Sequence, residues 1–89
     1  MERWLTCTVS RGMFSEEVAV VVTTREGQVS FFLPRDSVDA PEHPAGAVQG
    51  RIRVVLLREE GTDGVVALPA QPFEGSQVAR VPREALTAA

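Results

Sequence analysis

The sequence predicts an all-β fold, a small six-stranded barrel or sandwich. Six short segments are rich in β-branched or aromatic residues, and turn-forming residues bound each of them. No segment keeps a 3.6-residue apolar period over ten residues, so we expect little helix. A five-stranded SH3-like barrel, in which one segment is a loop, is the alternative. The segments are WLTCTVS (4–10), VAVVVTT (18–24), QVSFFLP (28–34), GRIRVVLLR (50–58), GVVALPA (64–70) and SQVARVP (76–82).

A likeness between the two halves of the chain supports this architecture. EGQVSFFLPRDSV and EGSQVARVPREAL match at a constant spacing of 48 residues, without a gap. We therefore predict one 89-residue domain built from two three-stranded units, residues 3–38 and 51–86, joined by a linker at 39–50. Coincidence in a composition-biased chain is the alternative. The matched positions are Arg3/Arg51, Val18/Val66, Ala19/Ala67, Glu26/Glu74, Gly27/Gly75, Pro34/Pro82 and Arg35/Arg83.

Turn residues mark where each unit reverses and where it ends. Gly27 stands where a tight hairpin needs a positive φ, and the pair Asp63-Gly64 indicates a second hairpin. Pro34 and Pro82 each end a strand, because proline has no N–H for the ladder. A polar pair and an apolar residue follow each proline, a pattern that fits one helical turn folding back on the core.

Composition bounds the setting in which this chain works. The first residues, MERWLTC, contain no apolar run typical of a secretory signal, and no stretch approaches the roughly 20 residues of a membrane span. The single cysteine, Cys7, cannot form an intramolecular disulfide. We therefore expect a soluble cytoplasmic protein with no membrane partner.

Residues that carry chemistry are scarce. Cys7 shares a strand face with Leu5 and Val9, which is typical of a small core residue. His43 is the only histidine and lies in the linker, so no second imidazole exists to build a metal site. Phosphate-binding glycine loops, nucleophile elbows and EF-hand spacing are all absent from the sequence. We expect no catalytic residue, no metal and no cofactor.

Contiguous apolar runs raise the question of what covers the outer faces of the strands. AVVV, FF and VVLL place apolar side chains on both faces of three strands, and the neighbours Phe31 and Phe32 must point to opposite sides. Loops could cover the outer side chains. The leading hypothesis is instead a non-catalytic interaction module, which forms a homodimer or docks a protein partner through an apolar strand face.

Met13 and Phe14 form a second anomaly, between the first two strands in RGMFSEE. They either plug an open end of the barrel or form an apolar finger for a partner. Phe73, in the turn QPFEG, allows the same two interpretations. The candidate partner-binding residues are Met13, Phe14, Phe31 and Phe32.

Single-stranded nucleic acid is the alternative partner. Arg51 and Arg53 share one strand face, Arg3 is the repeat counterpart of Arg51, and Trp4 could stack on a base. The formal net charge of −3 argues against binding that depends on phosphate neutralisation. Arginine stems that cover apolar surface, with their guanidinium groups in water, are the structural explanation of the same pattern.

Overall fold

In the part of the chain that the structure describes, one antiparallel sheet of eight strands forms the frame, which confirms the all-β prediction. The computed structural model describes residues 1–41 and 46–89. Within this part, no helix is long and apolar enough to cross a bilayer. The strands are β1 (Glu2–Arg11), β2 (Glu17–Thr24), β3 (Gly27–Pro34), β4 (Val38–Asp39), β5 (Val48–Glu60), β6 (Asp63–Ala67), β7 (Val78–Pro82) and β8 (Leu86–Ala88).

The strand order is pseudo-symmetric: in each half the first, second and third strands of the path follow one another from the centre of the sheet to its edge. Six strands follow the order β3-β2-β1-β5-β6-β7 and curl into a half-barrel. β1 and β5 form the centre of the sheet. β2 and β3 lie on the outer side of β1, and β6 and β7 lie on the outer side of β5. The short strands β4 and β8 pair with β5 and β1, outside this path. The six-stranded path agrees with the predicted small barrel and differs from the five-stranded SH3-like alternative.

The two halves interlock at the central pair of strands. Leu5 and Ile52 stand directly opposite each other in the β1–β5 ladder. β4 of the first half places Val38 beside Ile52, and β8 of the second half places Leu86 beside Leu5. Each half therefore ends on the first strand of the other, so neither half completes its sheet alone.

The predicted helical turn after each proline is present in both halves. Pro34 (φ −58°, ψ 142°) precedes a single 3-10 turn at Arg35–Ser37, and Pro82 (φ −61°, ψ 139°) precedes one at Arg83–Ala85. The Arg35 N–H donates to the Glu16 carbonyl oxygen at 2.8 Å, and the Arg83 N–H donates to the Thr62 carbonyl oxygen at 2.9 Å. Glu16 and Thr62 each directly precede the second strand of their half, so the two hydrogen bonds are equivalent.

The spacing of 48 residues holds at these prolines but not along the whole unit. Leu5 and Ile52 face each other in the central ladder and are therefore equivalent positions of the two halves, but they are 47 residues apart. Glu17 faces Pro34 just as Asp63 faces Pro82, which gives a spacing of 46 in the second strand. Connections of unequal length absorb the difference. Duplication of an ancestral unit stays a prediction.

The turns differ from the prediction at one hairpin and at the linker. Gly27 adopts φ 124°, as its hairpin position requires. The β5–β6 reversal uses residues 61–62, and Gly64 lies within β6, where an added Cβ would stand 2.7 Å from a methyl of Leu86. β4 and β5 take both ends of the predicted 39–50 linker. Residues 42–45, including His43, lie outside the described part.

The core lies on the concave side of the sheet. Phe31 is its largest fully buried side chain, with 1% exposure, and its burial contributes about 1.5–3 kcal/mol. Cys7 lies between Leu5 and Val9 on the same inward face, as predicted. The buried members of this cluster are Leu5, Cys7, Val9, Val18, Val20, Val22, Phe31, Leu33, Ile52, Val54, Val66, Leu68, Ala79 and Val81.

Candidate interaction surfaces

An apolar row crosses the outer face of three adjacent strands. Val55 of β5 faces Ala67 of β6, which in turn faces Val78 of β7. Val55 and Val78 are 44% and 48% exposed, although both are large and apolar. Leu57 follows at a β-bulge and is equally open to solvent. We call Val55, Ala67 and Val78 the apolar row.

Ion pairs border the apolar row on one side. Val65 points outward between its cross-strand neighbours Arg58 and Arg80, yet only 3% of it is exposed. Glu60 pairs with both arginines, so the arginine stems lie beside Val65 and shield it from water. The hydrogen bond from Arg58, with added attraction from Arg80, lowers the pKa of the Glu60 carboxyl. Charged side chains of Arg58, Glu60 and Arg80 therefore border this side of the apolar row.

Trp4 and two arginines meet on the other side of the apolar row. The guanidinium carbons of Arg51 and Arg53 lie 4.4 Å and 5.1 Å from the centroid of the Trp4 ring. Trp4 and Arg53 are direct cross-strand partners. Arg51 pairs with Asp39 at 2.6 Å and Arg53 pairs with Glu2 at 2.8 Å, so each positive charge is compensated.

Arg3 does not join this face. Arg51 and Arg53 share the outer face, as the sequence indicates, and the β1–β5 pairing brings Trp4 to them. Arg3 pairs with Val54, whose side chain points into the core, so Arg3 lies on the opposite side of β1 from Trp4. Its guanidinium donates to the Glu2 carbonyl oxygen at 2.9 Å. Three of the four candidate nucleic-acid residues are therefore together.

A loop covers the second phenylalanine of β3. The ring of Phe73 packs edge-on against Phe32, with centroids 5.2 Å apart. The Phe73 backbone N–H donates to the Ser30 carbonyl oxygen at 2.9 Å, which fixes the loop on the free edge of β3. Phe73 thus packs over Phe32, but 65% of Phe73 itself is exposed, so it does not plug the barrel. Phe31 lies in the core and cannot contact a partner in the folded protein, which corrects its place among the candidate residues.

Met13 and Phe14 project into solvent. They are 75% and 69% exposed, so the expectation that they plug the barrel is wrong. The Glu17 N–H donates to the Phe14 carbonyl oxygen at 3.2 Å, and the Met13 N–H donates to the Glu17 carboxylate at 3.2 Å. We call residues 12–16 the finger.

A cavity of about 480 Å³ lies next to the finger. Glu16, Arg35 and Asp36 contribute the charged part of its lining. The remaining lining is apolar and includes buried core residues of β1 and β2, so a ligand here would touch the edge of the core. The apolar lining residues are Val9, Val18, Pro34, Val38, Ala40 and Pro41.

The thiol of Cys7 is buried in the core. Burial raises the pKa of the Cys7 thiol to about 12, so this sulfur is protonated at neutral pH and is not a nucleophile. Among residues 1–41 and 46–89, no group of three or more His, Cys, Asp and Glu side chains could hold a metal ion.

Several of these surface residues do not stand out in the sequence. The run VVLL signals excess apolar surface but does not show which of its residues stay exposed, and Val78 lies outside any apolar run. Nothing in the sequence brings Val9 and Val18 to one cavity with Pro34, because their proximity depends on strand pairing. Comparison of the chain with family models, curated proteins and solved structures gave no significant match.

Proposed function

We propose that this chain is a non-catalytic interaction module that binds a protein partner through the outer face of β5, β6 and β7. The partner is either a different protein or a second copy of the chain. The proposal rests on one observation: the apolar row is open to solvent, with Val55 and Val78 44% and 48% exposed.

The contrast with β3 supports this choice of surface. Three strands carry apolar side chains on both faces, but Phe73 covers Phe32, whereas nothing comparable within the described residues lies over Val55 and Val78. The ion pair of Arg80 with Glu60 and that of Arg53 with Glu2 flank the row. An apolar centre with a charged rim is the usual anatomy of a protein interface.

The single buried cysteine supports a reducing setting for this module. Cys7 lies in the core as a protonated thiol, and no stabilising disulfide is available to so small a domain. We propose the cytoplasm as its location.

Site-specific photocrosslinking tests the partner surface. A photoreactive phenylalanine analogue replaces Val55 or Val78 in the chain expressed in its native cells, and Thr23, an exposed residue of β2, serves as the control position. We expect adducts from positions 55 and 78 that are absent at position 23. The mass of the adduct separates a second copy from a different protein. Adducts at none of the positions, or equally at all three, would contradict the proposal.

Single-stranded nucleic acid is a second candidate, favoured by the contact of Trp4 with two guanidinium groups. Titration of fluorescent single-stranded oligonucleotides at increasing salt tests it. The double variant Arg51→Ala/Arg53→Ala should abolish salt-dependent binding, because it removes both cations beside the stacking ring. Arg3→Ala is the matched control, since Arg3 lies on the opposite side of the strand. Unchanged affinity in the double variant would eliminate this candidate.

A further inference from the structure

The finger is longer than the fold requires. The equivalent reversal in the other half, between β5 and β6, uses two residues, whereas the finger has five. Both reversals nevertheless make the same contact with the arginine that follows the proline. The Arg35 guanidinium donates to the Ser15 carbonyl oxygen at 2.9 Å, and that of Arg83 donates to the Gly61 carbonyl oxygen at 3.5 Å. The extra residues, Met13 and Phe14 among them, are therefore not needed to close the hairpin.

Backbone hydrogen bonds tie the finger to Glu17. The Glu17 N–H donates to the Phe14 carbonyl oxygen, and the Met13 N–H donates to the Glu17 carboxylate. At Gly12, an added Cβ would stand 2.7 Å from the Glu17 carbonyl oxygen, so the chain passes too close for any other residue. Because these hydrogen bonds already restrain the backbone of the finger, its binding would cost less backbone entropy than the binding of a loop without them.

The neighbouring cavity has the size and lining to receive such a finger. A benzene-sized ring fits an apolar cavity of about 150 Å³, and this cavity offers about 480 Å³. Finger and cavity share Glu16, so a projection and a matching recess lie side by side on one surface. Adjacent complementary features of this kind can satisfy each other in both directions across a twofold axis.

The charge at the base of the finger is opposite to the charge of two carboxylates on the cavity wall. Among the described residues, Arg11 at the base of the finger has no ion-pair partner, and the same is true of Glu16 and Asp36 on the cavity wall. A finger entering the cavity of a second molecule would carry Arg11 toward these two carboxylates. The attraction would fix the orientation of the apolar contact.

We propose that two copies of this chain form a symmetric dimer in which Met13 and Phe14 of each copy enter the cavity of the other. Arg11 of each copy pairs with Asp36 of the second copy. This interface differs from the surface of the proposed function. The finger leaves β1 beyond Val9, and Val55 lies opposite Glu2, so about 23 Å of the β1–β5 ladder separates them. The dimer would present two apolar rows to partners.

Sedimentation velocity of the full chain over a range from micromolar to several hundred micromolar tests the dimer. The wild-type chain should dimerise, and Phe14→Ser should raise the dissociation constant about 10- to 100-fold, because it removes a buried ring from the interface. Thr23→Ala is the control, since Thr23 is an exposed residue of β2 outside the finger, the cavity lining and the apolar row, and should leave the constant unchanged. A monomeric wild type, or a dimer that Phe14→Ser does not weaken, would overturn the proposal.

Charge reversal separates a contact between copies from a contact within one copy. Arg11→Glu and Asp36→Arg should each produce a monomer, because either change places like charges together at both ends of the interface. Their mixture should form a heterodimer, in which each of the two contacts again joins opposite charges. Circular dichroism of each variant confirms that it is folded. Failure of the mixture to associate would contradict the assigned contact. The absence of photocrosslinked adducts at positions 55 and 78, in contrast, would contradict the proposed function and would not contradict the dimer.

Discussion

Phe73 packs the edge of its ring against Phe32, with the ring planes at 71° and the centroids 5.2 Å apart. The residues are 41 positions apart in the sequence, and the loop that carries Phe73 is also hydrogen-bonded to the edge of β3. The contact explains how a small sheet with one interior accommodates two adjacent phenylalanines. Phe31 fills the interior, and Phe32 is covered from outside by a loop of the other half.

This aromatic pair should contribute measurably to stability. In a double-mutant cycle with Phe32→Ala and Phe73→Ala, we expect a coupling free energy of about 0.5–1.5 kcal/mol, since edge-to-face pairs contribute this much beyond burial. Phe31→Ala should cost about 3–5 kcal/mol, because it leaves a cavity in the core. Urea denaturation measures all of these. Phe14→Ala, which removes an exposed ring, is the control and should be near neutral when unfolding is measured on the dilute, monomeric chain. A coupling of zero would show that the loop does not hold Phe73 in place.

The central residues of the two halves should be equally important. Leu5 and Ile52 face each other and are both fully buried, so Leu5→Ala and Ile52→Ala should each lower the free energy of unfolding by about 2–5 kcal/mol. Because the two sites are structurally equivalent, the losses in the free energy of unfolding should agree within about 1 kcal/mol, which is smaller than either loss. Chemical denaturation of the two single variants provides the comparison. A small cost for one and a large cost for the other would contradict the structural equivalence of the halves.

Glu60 should contribute stability that depends on pH. Its pKa is lowered in the folded protein, chiefly by Arg58, so the folded state holds the carboxylate form more strongly than the unfolded chain does. The contribution is therefore present above the ordinary pKa of 4.5 and is lost as the pH falls through the lower folded value. The stability difference between wild type and Glu60→Gln should shrink as unfolding is measured at successively lower pH.

The control for this measurement is Thr23→Ala, because Thr23 is an exposed residue that carries no titratable group. Its stability difference from wild type should therefore not change with pH. A Glu60→Gln difference that is equally constant would show that the bridge to Arg58 and Arg80 has no energetic effect in solution.

Cys7 should be unreactive in the native protein. Its pKa is raised from 9.0 to about 12 by burial, so the reactive thiolate is scarce, and alkylation should be at least about 100-fold slower than in the unfolded chain. The unfolded thiol ionises near pH 9.0 while the folded one keeps its proton, so stability should fall as the pH rises from 9.0 toward 12. Cys7→Ala should lose that slope. Rapid labelling under native conditions would indicate local opening of β1.

The alternation of a strand explains which parts of the surfaces could be predicted. Arg51 and Arg53 share a face in any strand, and the sequence alone established this. The same alternation separates Arg3 from Trp4, because adjacent residues of a strand point to opposite sides. Joining Trp4 to the two arginines required the pairing of β1 with β5, which no local pattern specifies.

The sequence by itself determined the all-β class, the glycine of the first hairpin, the proline that ends each unit and the turn that follows it. These features depend on backbone preferences of single residues, which act locally. Tertiary structure alone decided that Phe31 faces inward, because an uninterrupted apolar run carries no polar residue to mark its register. It also decided that Phe73 covers Phe32 while Val55 and Val78 stay exposed, since cover depends on where distant segments meet.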